Sequence, residues 1–184
     1  KFAEIIELAA IWYAVWVGNN ALLSAFVQFA LLGTLGELLG ARVAKRPISP
    51  RVLEWVAKAL VWGGLGILVK IAFTGFGGFL EALVHKGFLP AATLATPLLF
   101  AFAKSLITNA QFGPLLMVLH RTTDNLISGT KGYAGIESSL VTLAWFWLPA
   151  HTLTFILPSD YQLGLAAIWS VALGLIMGYT KRAK

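Results

Sequence analysis

The stretch SSLVTLAWFWLPAHTLTFILP, residues 138–158, decides the fold. It has no formal charge and is long enough to cross the roughly 30 Å hydrocarbon core of a bilayer as a helix. Yet it contains Thr142, His151, Thr152, Thr154 and an internal Pro149. Hydrocarbon offers such groups no hydrogen-bond partner, so they must face protein or a water-lined space. The segment is therefore expected to lie against other helices of the same chain.

The composition agrees. Of 184 residues, 58% are hydrophobic and 12% charged, and the mean hydropathy is +0.79. Soluble domains carry about 45–50% apolar and about 25% charged residues. The fold class read from this is all-α: a multi-pass transmembrane bundle of four to five spanning helices with an N-terminal amphipathic helix, forming a single integral membrane domain over residues 1–184. The net charge of +6 could suggest nucleic acid, but the basic residues punctuate apolar runs instead of forming a stripe, so membrane orientation explains them and no nucleic-acid partner is expected. The absence of cysteine removes disulfides, thiolate nucleophiles and cysteine metal sites.

Along the chain, residues 1–17 read as an interfacial helix, with Glu4 and Glu7 on one face and Ile5, Leu8, Ile11, Trp12 and Val15 on another. Hydrophobic helices are expected at 21–41, 52–85, 91–120, 138–158 and 161–180, with a polar loop at 121–137. The run 52–85 exceeds one perpendicular span and needs tilt, a break near Gly75, or an interfacial portion. The third run is interrupted by Pro97 and Pro114. Arg42, Lys45, Arg46 and Arg51 mark the positive, cytoplasm-like side, which the tail at 181–184 joins if there are five crossings. Glu4, Glu7, Glu81 and Asp160 fall on the other side.

Packing positions are Gly33, Gly36 and Gly40, spaced three and four apart, together with Gly77, Gly78, Pro114 and Pro149. Candidate lining residues of a polar passage are Glu37, Lys70, Lys104, Asn109, Gln111, His151 and Thr154. Intramembrane charges cost at least about 2.5–3.5 kcal/mol on insertion scales, so Glu37, Lys70 and Lys104 call for an offset. The alternative for each is structural: Glu37 near its helix end, lysines reaching to headgroups, and His151 and the amides bonded between helices. No pair of histidines stands at ligand spacing, so no metal is assigned, and no nucleophile-elbow or phosphate-loop pattern points to an enzyme. No cofactor is assigned either. The seven tryptophans read as interface anchors and need neither pigment nor bound lipid to explain them.

The chain also resembles the Mpv-seventeen/peroxisomal membrane protein family over most of its length. Leu32-Gly33-Thr34-Leu35-Gly36-Glu37 with its basic end looks like the family's first-helix Gly-Asp element. Gly77-Gly78-Phe79 with Leu89-Pro90 is similar to its Gly-Gly-Trp and Pro punctuation, and Lys104, Thr108, Asn109 and Phe112-Gly113-Pro114 to its Lys, Asp-Gln, Phe-Ala-Pro run. Trp147, His151, Thr154-Phe155, Pro158 and Tyr161 look like its Trp-Pro, Gln, Asn-Phe, Val-Pro and Tyr series, with His for Gln and Thr for Asn. The resemblance implies a multi-pass, channel-like protein of an organelle inner membrane, mitochondrial, peroxisomal or plastid, or of a bacterial inner membrane. It further implies a weakly selective small-solute channel. The alternative is an accessory structural subunit of a larger, bioenergetic membrane complex. Membrane lipids are the expected partners, with a homo-oligomer or larger membrane complex in either case.

Overall fold

Interrupted apolar runs of this kind fold as helices because a membrane-crossing backbone must satisfy its own N–H and C=O groups. The computed structural model describes residues 1–182; residues 183 and 184 of the basic tail lie outside them. Among the described residues helix is the only regular structure. The helices are α1 (Phe2–Asn19), α2 (Ala21–Val43), α3 (Val52–His85), α4 (Pro97–Ser128), α5 (Ile136–Ile156) and α6 (Ser159–Arg182), with a short 3-10 turn at Ala91–Leu94. α1, α2, α3, α5 and α6 are long and apolar enough to cross a membrane. α4, expected as a crossing at 91–120, has no stretch that apolar among the described residues and is held within the bundle by α3 and α5. Large apolar side chains, among them Leu31, Leu60, Ile71, Leu106, Leu153 and Ile168, remain exposed on the outside, as a lipid-facing surface requires. The chain is a small, multi-pass integral membrane protein.

Short connections make successive helices antiparallel from α2 onward, and this sets the levels of the bundle. The ends of α2, α4 and α6 meet the starts of α3 and α5 at the basic end, where Arg42, Lys45, Arg46 and Arg51 lie. Asp160 and Glu81 lie at the other end.

α2 and α6 run parallel in close approach. A Cβ added at Gly36 would stand 2.8 Å from the Ser170 carbonyl oxygen, and one at Gly40 2.6 Å from that of Gly174. One at Gly174 would collide with the Gly36 carbonyl. Gly33 receives the Trp62 ring of α3 in the same way. Small residues thus let backbones meet where lipid supplies no hydrophobic drive between helices. A Cβ added at Gly77 would meet Lys104 Nζ at 3.8 Å, an ordinary contact, and one at Gly78 would meet nothing within 4 Å. Gly78 is therefore not a packing position.

α3 runs without interruption for 34 residues, about 51 Å at 1.5 Å per residue. There is no break near Gly75; the excess over a 30 Å core is left to tilt or projecting ends. Pro97 opens α4 and does not interrupt it, since the Thr96 side chain caps the helix by accepting from the Leu99 N–H at 3.3 Å. α4 then passes through Pro114 and continues to Ser128. Residues 121–128, expected as loop, are helical. Thr122 and Thr123 donate back to the Val118 and Leu119 carbonyls at 2.8 and 3.0 Å, and Asp124 pairs with Lys58. Gly129, at φ 66, supplies the left-handed cap that ends the helix. The real connection is 129–135.

α5 is α-helical at Ile136–Thr142, widens to a π turn at Leu143–Trp147 and resumes at Leu148–Ile156. Pro149 brings no N–H and crowds the preceding turn, and the wider turn just before it accommodates this; Pro149 itself is exposed. α1 is held only by its C-terminal half. Tyr13 donates to Gln28 Oε1 at 2.6 Å and Tyr161 to the Ala10 carbonyl at 3.0 Å, while Phe2 to Ala9 are exposed.

Gly174→Val should cost about 1–3 kcal/mol by overpacking the α2–α6 contact, read as a loss of helicity at lower denaturant in detergent micelles. Gly78→Ala should be neutral or slightly stabilising in the same titration.

Candidate functional site

α4 and α5 are joined by hydrogen bonds that lie between the turns of both helices. The Ser105 hydroxyl donates to the Leu148 carbonyl at 2.8 Å, and that carbonyl also accepts from the Thr152 hydroxyl at 2.7 Å. Asn109 Nδ2 donates to the Ser105 carbonyl at 2.8 Å and lies 3.2 Å from His151 Nδ1. Because an amide nitrogen only donates, Nδ1 accepts and the ring carries its proton on Nε2. The His151 ring sits among Trp147, Phe73 and Phe155, with centroids at 5.0, 5.3 and 5.9 Å. Thr154 is fully buried, donates to the Ala150 carbonyl at 2.8 Å and accepts from Trp169 Nε1 at 3.2 Å, tying α5 to α6. Thus His151 and Thr154 reach neighbouring helices, Thr142 and Thr152 are satisfied by their own helix backbone, and Ser138 is exposed.

Below this strap, toward the basic end, the five helices α2 to α6 enclose a cavity of about 260 Å3. Its wall runs along α2 from Phe29 to Gly40 and along α6 from Ala166 to Gly178, a length of about 16–18 Å at 1.5 Å per residue. That is about half of a 30 Å hydrocarbon core. Arg46, exposed in the α2–α3 connection, stands at its outer end. Most of the wall is apolar: Leu65, Val69, Phe112, Leu116 and Leu173. The polar exceptions include Glu37, Thr108, Asn109, His120, Ser139, Thr142, Trp147, His151 and Ser170. Two of them are unsatisfied: Thr108 Oγ1 and Trp147 Nε1 are buried without a hydrogen-bond partner.

At the inner end the cavity stops against packed apolar side chains. Phe29 and Phe73 line it and belong to the same buried cluster as Ala25, Ala101, Phe155, Leu163, Ala166 and Ala167. Phe73 meets Phe155 edge-on at 4.6 Å.

Near the basic end a charged group joins three helices. Lys58 of α3 pairs with Glu37 of α2 and with Asp124 of α4, the latter at 2.5 Å. Trp62 Nε1 donates to Glu37 Oε2 at 3.3 Å, and the Trp62 ring lies 4.5 Å from that of His120. Glu37 thereby acquires the offset that its place in an apolar run demands.

Of the seven candidate lining residues, Glu37, Asn109 and His151 come together on the cavity wall. The other four are not among the residues that line it. Lys104 is 7% exposed with Nζ 4.3 Å over the Phe155 ring, Lys70 is half-buried on α3, Gln111 is exposed on the outer face of α4, and Thr154 is committed to α6. Gln111 is two residues from Asn109 and so points away from it on a helix. Residues not singled out as lining the passage are Thr108, His120, Thr142, Trp147 and Ser170, and the partners Lys58 and Asp124. A signal for Lys58 existed: Glu37 stands as far from the end of α2 as Lys58 does from the start of α3, which puts opposite charges at one level of a helical hairpin.

Comparison with known proteins gives no match: no family model, no curated protein and no solved structure is similar to this chain.

Lys58→Met should destabilise the bundle by about 1 kcal/mol or somewhat more, since two carboxylates lose their cation at a partly exposed site. Adding Glu37→Gln and Asp124→Asn should recover most of that loss in the same unfolding titration. A triple variant as unstable as the single one would mean that Lys58 acts through packing alone.

Proposed function

We propose that this membrane protein provides a pathway for small uncharged solutes, with the five-helix cavity as its half open toward the basic face and the Phe29–Phe73–Phe155 cluster as its closed gate. The observation that carries the reading is the cavity's place on the bundle axis, spanning about half the hydrocarbon thickness and ending on a few side chains. A channel needs a polar foothold and a constriction that can clear, and hydrophobic constrictions gate by excluding water. Asn109 and His151 supply the foothold directly beneath Phe73. The role is non-catalytic, and it matches the weakly selective channel implied by the motif resemblance to the Mpv-seventeen/peroxisomal membrane protein family, whose organelle inner membranes are the proposed location.

A second reading, an accessory subunit of a larger bioenergetic membrane complex, is favoured by α1. Its residues Phe2, Ile5, Ile6 and Leu8 are exposed, leaving an apolar surface for a partner subunit or lipid. Native mass measurement after mild extraction separates the readings: constant recovery with other subunits supports the second.

Stopped-flow swelling of proteoliposomes in glycerol or 1,4-butanediol should show protein-dependent entry. Phe73→Ala, which removes the ring facing His151, should raise that entry about tenfold, a barrier change of about 1.4 kcal/mol. Entry no faster than in empty liposomes for both proteins would rule the pathway out.

A further inference from the structure

We propose that Lys104 anchors a site for one oxyanion head, phosphate or carboxylate, of an anionic lipid, at the α3–α4 contact toward the Asp160 end. Lys104 does not line the cavity, and the site stands independently of the pathway reading. Three observations carry it.

The first is a cation without a counter-ion. Lys104 is 7% exposed, yet among the described residues it enters none of the ion pairs, which engage Glu4, Glu37, Glu54 and Asp124. An ammonium has three N–H donors, and what stands nearest is the Phe155 ring, 4.3 Å from Nζ. A ring face attracts the charge but supplies no oxygen. Where Glu37 meets its offset in Lys58, Lys104 has none of its own, and an ion inside a membrane protein requires one.

The second is that the ammonium is left uncovered on one side. The sealed unpartnered atoms belong to Thr34, Thr108 and Trp147, and Lys104 Nζ is not one of them. It is aimed at Gly77 of α3, where an added Cβ would stand 3.8 Å from Nζ and meet no residue but Lys104 within 4 Å. Gly78 beside it is exposed, and an added Cβ there would meet nothing within 4 Å. A larger side chain at either position would lie across the approach to the ammonium. Bare glycine surface leaves it open.

The third is the level and the surroundings. Gly77 lies about two turns before the end of α3 and Lys104 about two turns after the start of α4, or about 11 Å from those ends. α3, about 51 Å long, overshoots a 30 Å core by about 20 Å, so in a centred, upright α3 this level is the edge of the hydrocarbon, where lipid heads begin. Lys70, two turns deeper on the Gly77 face of α3, is a second cation outside the ion pairs; Glu81, one turn the other way, is exposed and also outside them. Gly75 and Ile71 are exposed on the deeper side, an apolar surface for the acyl chain of a bound lipid and of no use to a soluble anion.

The test is native mass spectrometry of the chain released from nanodiscs of phosphatidylcholine and phosphatidylglycerol in equal amounts. One phosphatidylglycerol per chain should survive activation that strips phosphatidylcholine, a preference of about tenfold, as a hydrogen bond to a charged group supplies. Lys104→Gln should abolish the preference. Gly77→Leu should do the same, since it keeps every charge and lays a side chain over the ammonium. Glu81→Gln, which removes a competing carboxylate, should raise the preference about twofold. Lys86→Gln, which removes an exposed positive charge just beyond α3, should leave it unchanged. Should Lys104→Gln fail to fold, as read by circular dichroism, Gly77→Leu and Glu81→Gln decide. Equal retention of the two lipids by the unaltered chain, or a loss in Lys86→Gln as large as in Lys104→Gln, overturns the proposal. Excess glycerol 3-phosphate should not displace the lipid; displacement would contradict lipid as the source of the oxyanion.

Discussion

A polar side chain or a freed backbone carbonyl inside hydrocarbon must find its partner within the protein, and the arrangement of α4 and α5 follows from that constraint. α5 carries a proline and a run of hydroxyls across the membrane. α4 has no stretch apolar enough to count as a crossing among the described residues. Neither suits lipid on all sides. Each meets the other's need: Ser105 reaches the Leu148 carbonyl beside Pro149, and Asn109 reaches His151. In membranes such bonds are worth little singly, about 0.6 kcal/mol on average. Their effect here is positional, since they fix which faces of the two helices remain for the cavity. The π turn does the same locally, setting Trp147 and His151 one turn apart on the cavity side.

The remaining helices enclose this pair. Glycines at 36, 40, 174 and 178 draw α2 and α6 together until backbones touch, and the bulky residues of α3 fill the gaps, Trp62 over Gly33 and Phe73 against Phe155. The two halves of the bundle then differ in filling. Toward the Asp160 end lies the buried cluster of alanines and phenylalanines. Toward the basic end, glycines on α2, α4 and α6 line the walls and leave the cavity. The Glu37–Lys58–Asp124 group ties α2, α3 and α4 together at the side of that open half.

Much of this is legible in the sequence. The uncharged 138–158 tract announces its dependence on neighbours, and Gly33-x-x-Gly36-x-x-x-Gly40 announces a close helix contact; both follow from local composition and spacing. The helical content follows as well, but not which helices are apolar enough to cross: 91–120 reads as one of them and 1–17 as interfacial only, whereas α1 is long and apolar enough and α4 falls short. What is hidden depends on pairing. Asp124 sits in a Thr- and Asn-rich stretch that looks like a loop until Lys58 is placed opposite it. Gln111 looks as polar as Asn109, but only the helix turn decides that one faces His151 and the other the outside. Lys104 looks like a pore charge, yet lies under Phe155 outside the cavity, and no spacing rule shows that. Thr108 and Trp147 carry no special signal, because being unpartnered is a property of the fold.

On the proposed reading the half-cavity is water-reachable, open on the face of Arg46 and sealed beneath Phe29 and Phe73. This chain has no cysteine of its own, so single cysteines placed along the bundle in oriented proteoliposomes test it directly with a membrane-impermeant maleimide. Cysteine at Ser139, Ser170 or Asn109 should react from the basic face and not from the other, with rates falling inward. Cysteine at Ala101 or Ala167, within the apolar cluster, should react from neither. Labelling of position 109 or 170 from the Asp160 face, or no labelling of any cavity position from the basic face, would contradict the account.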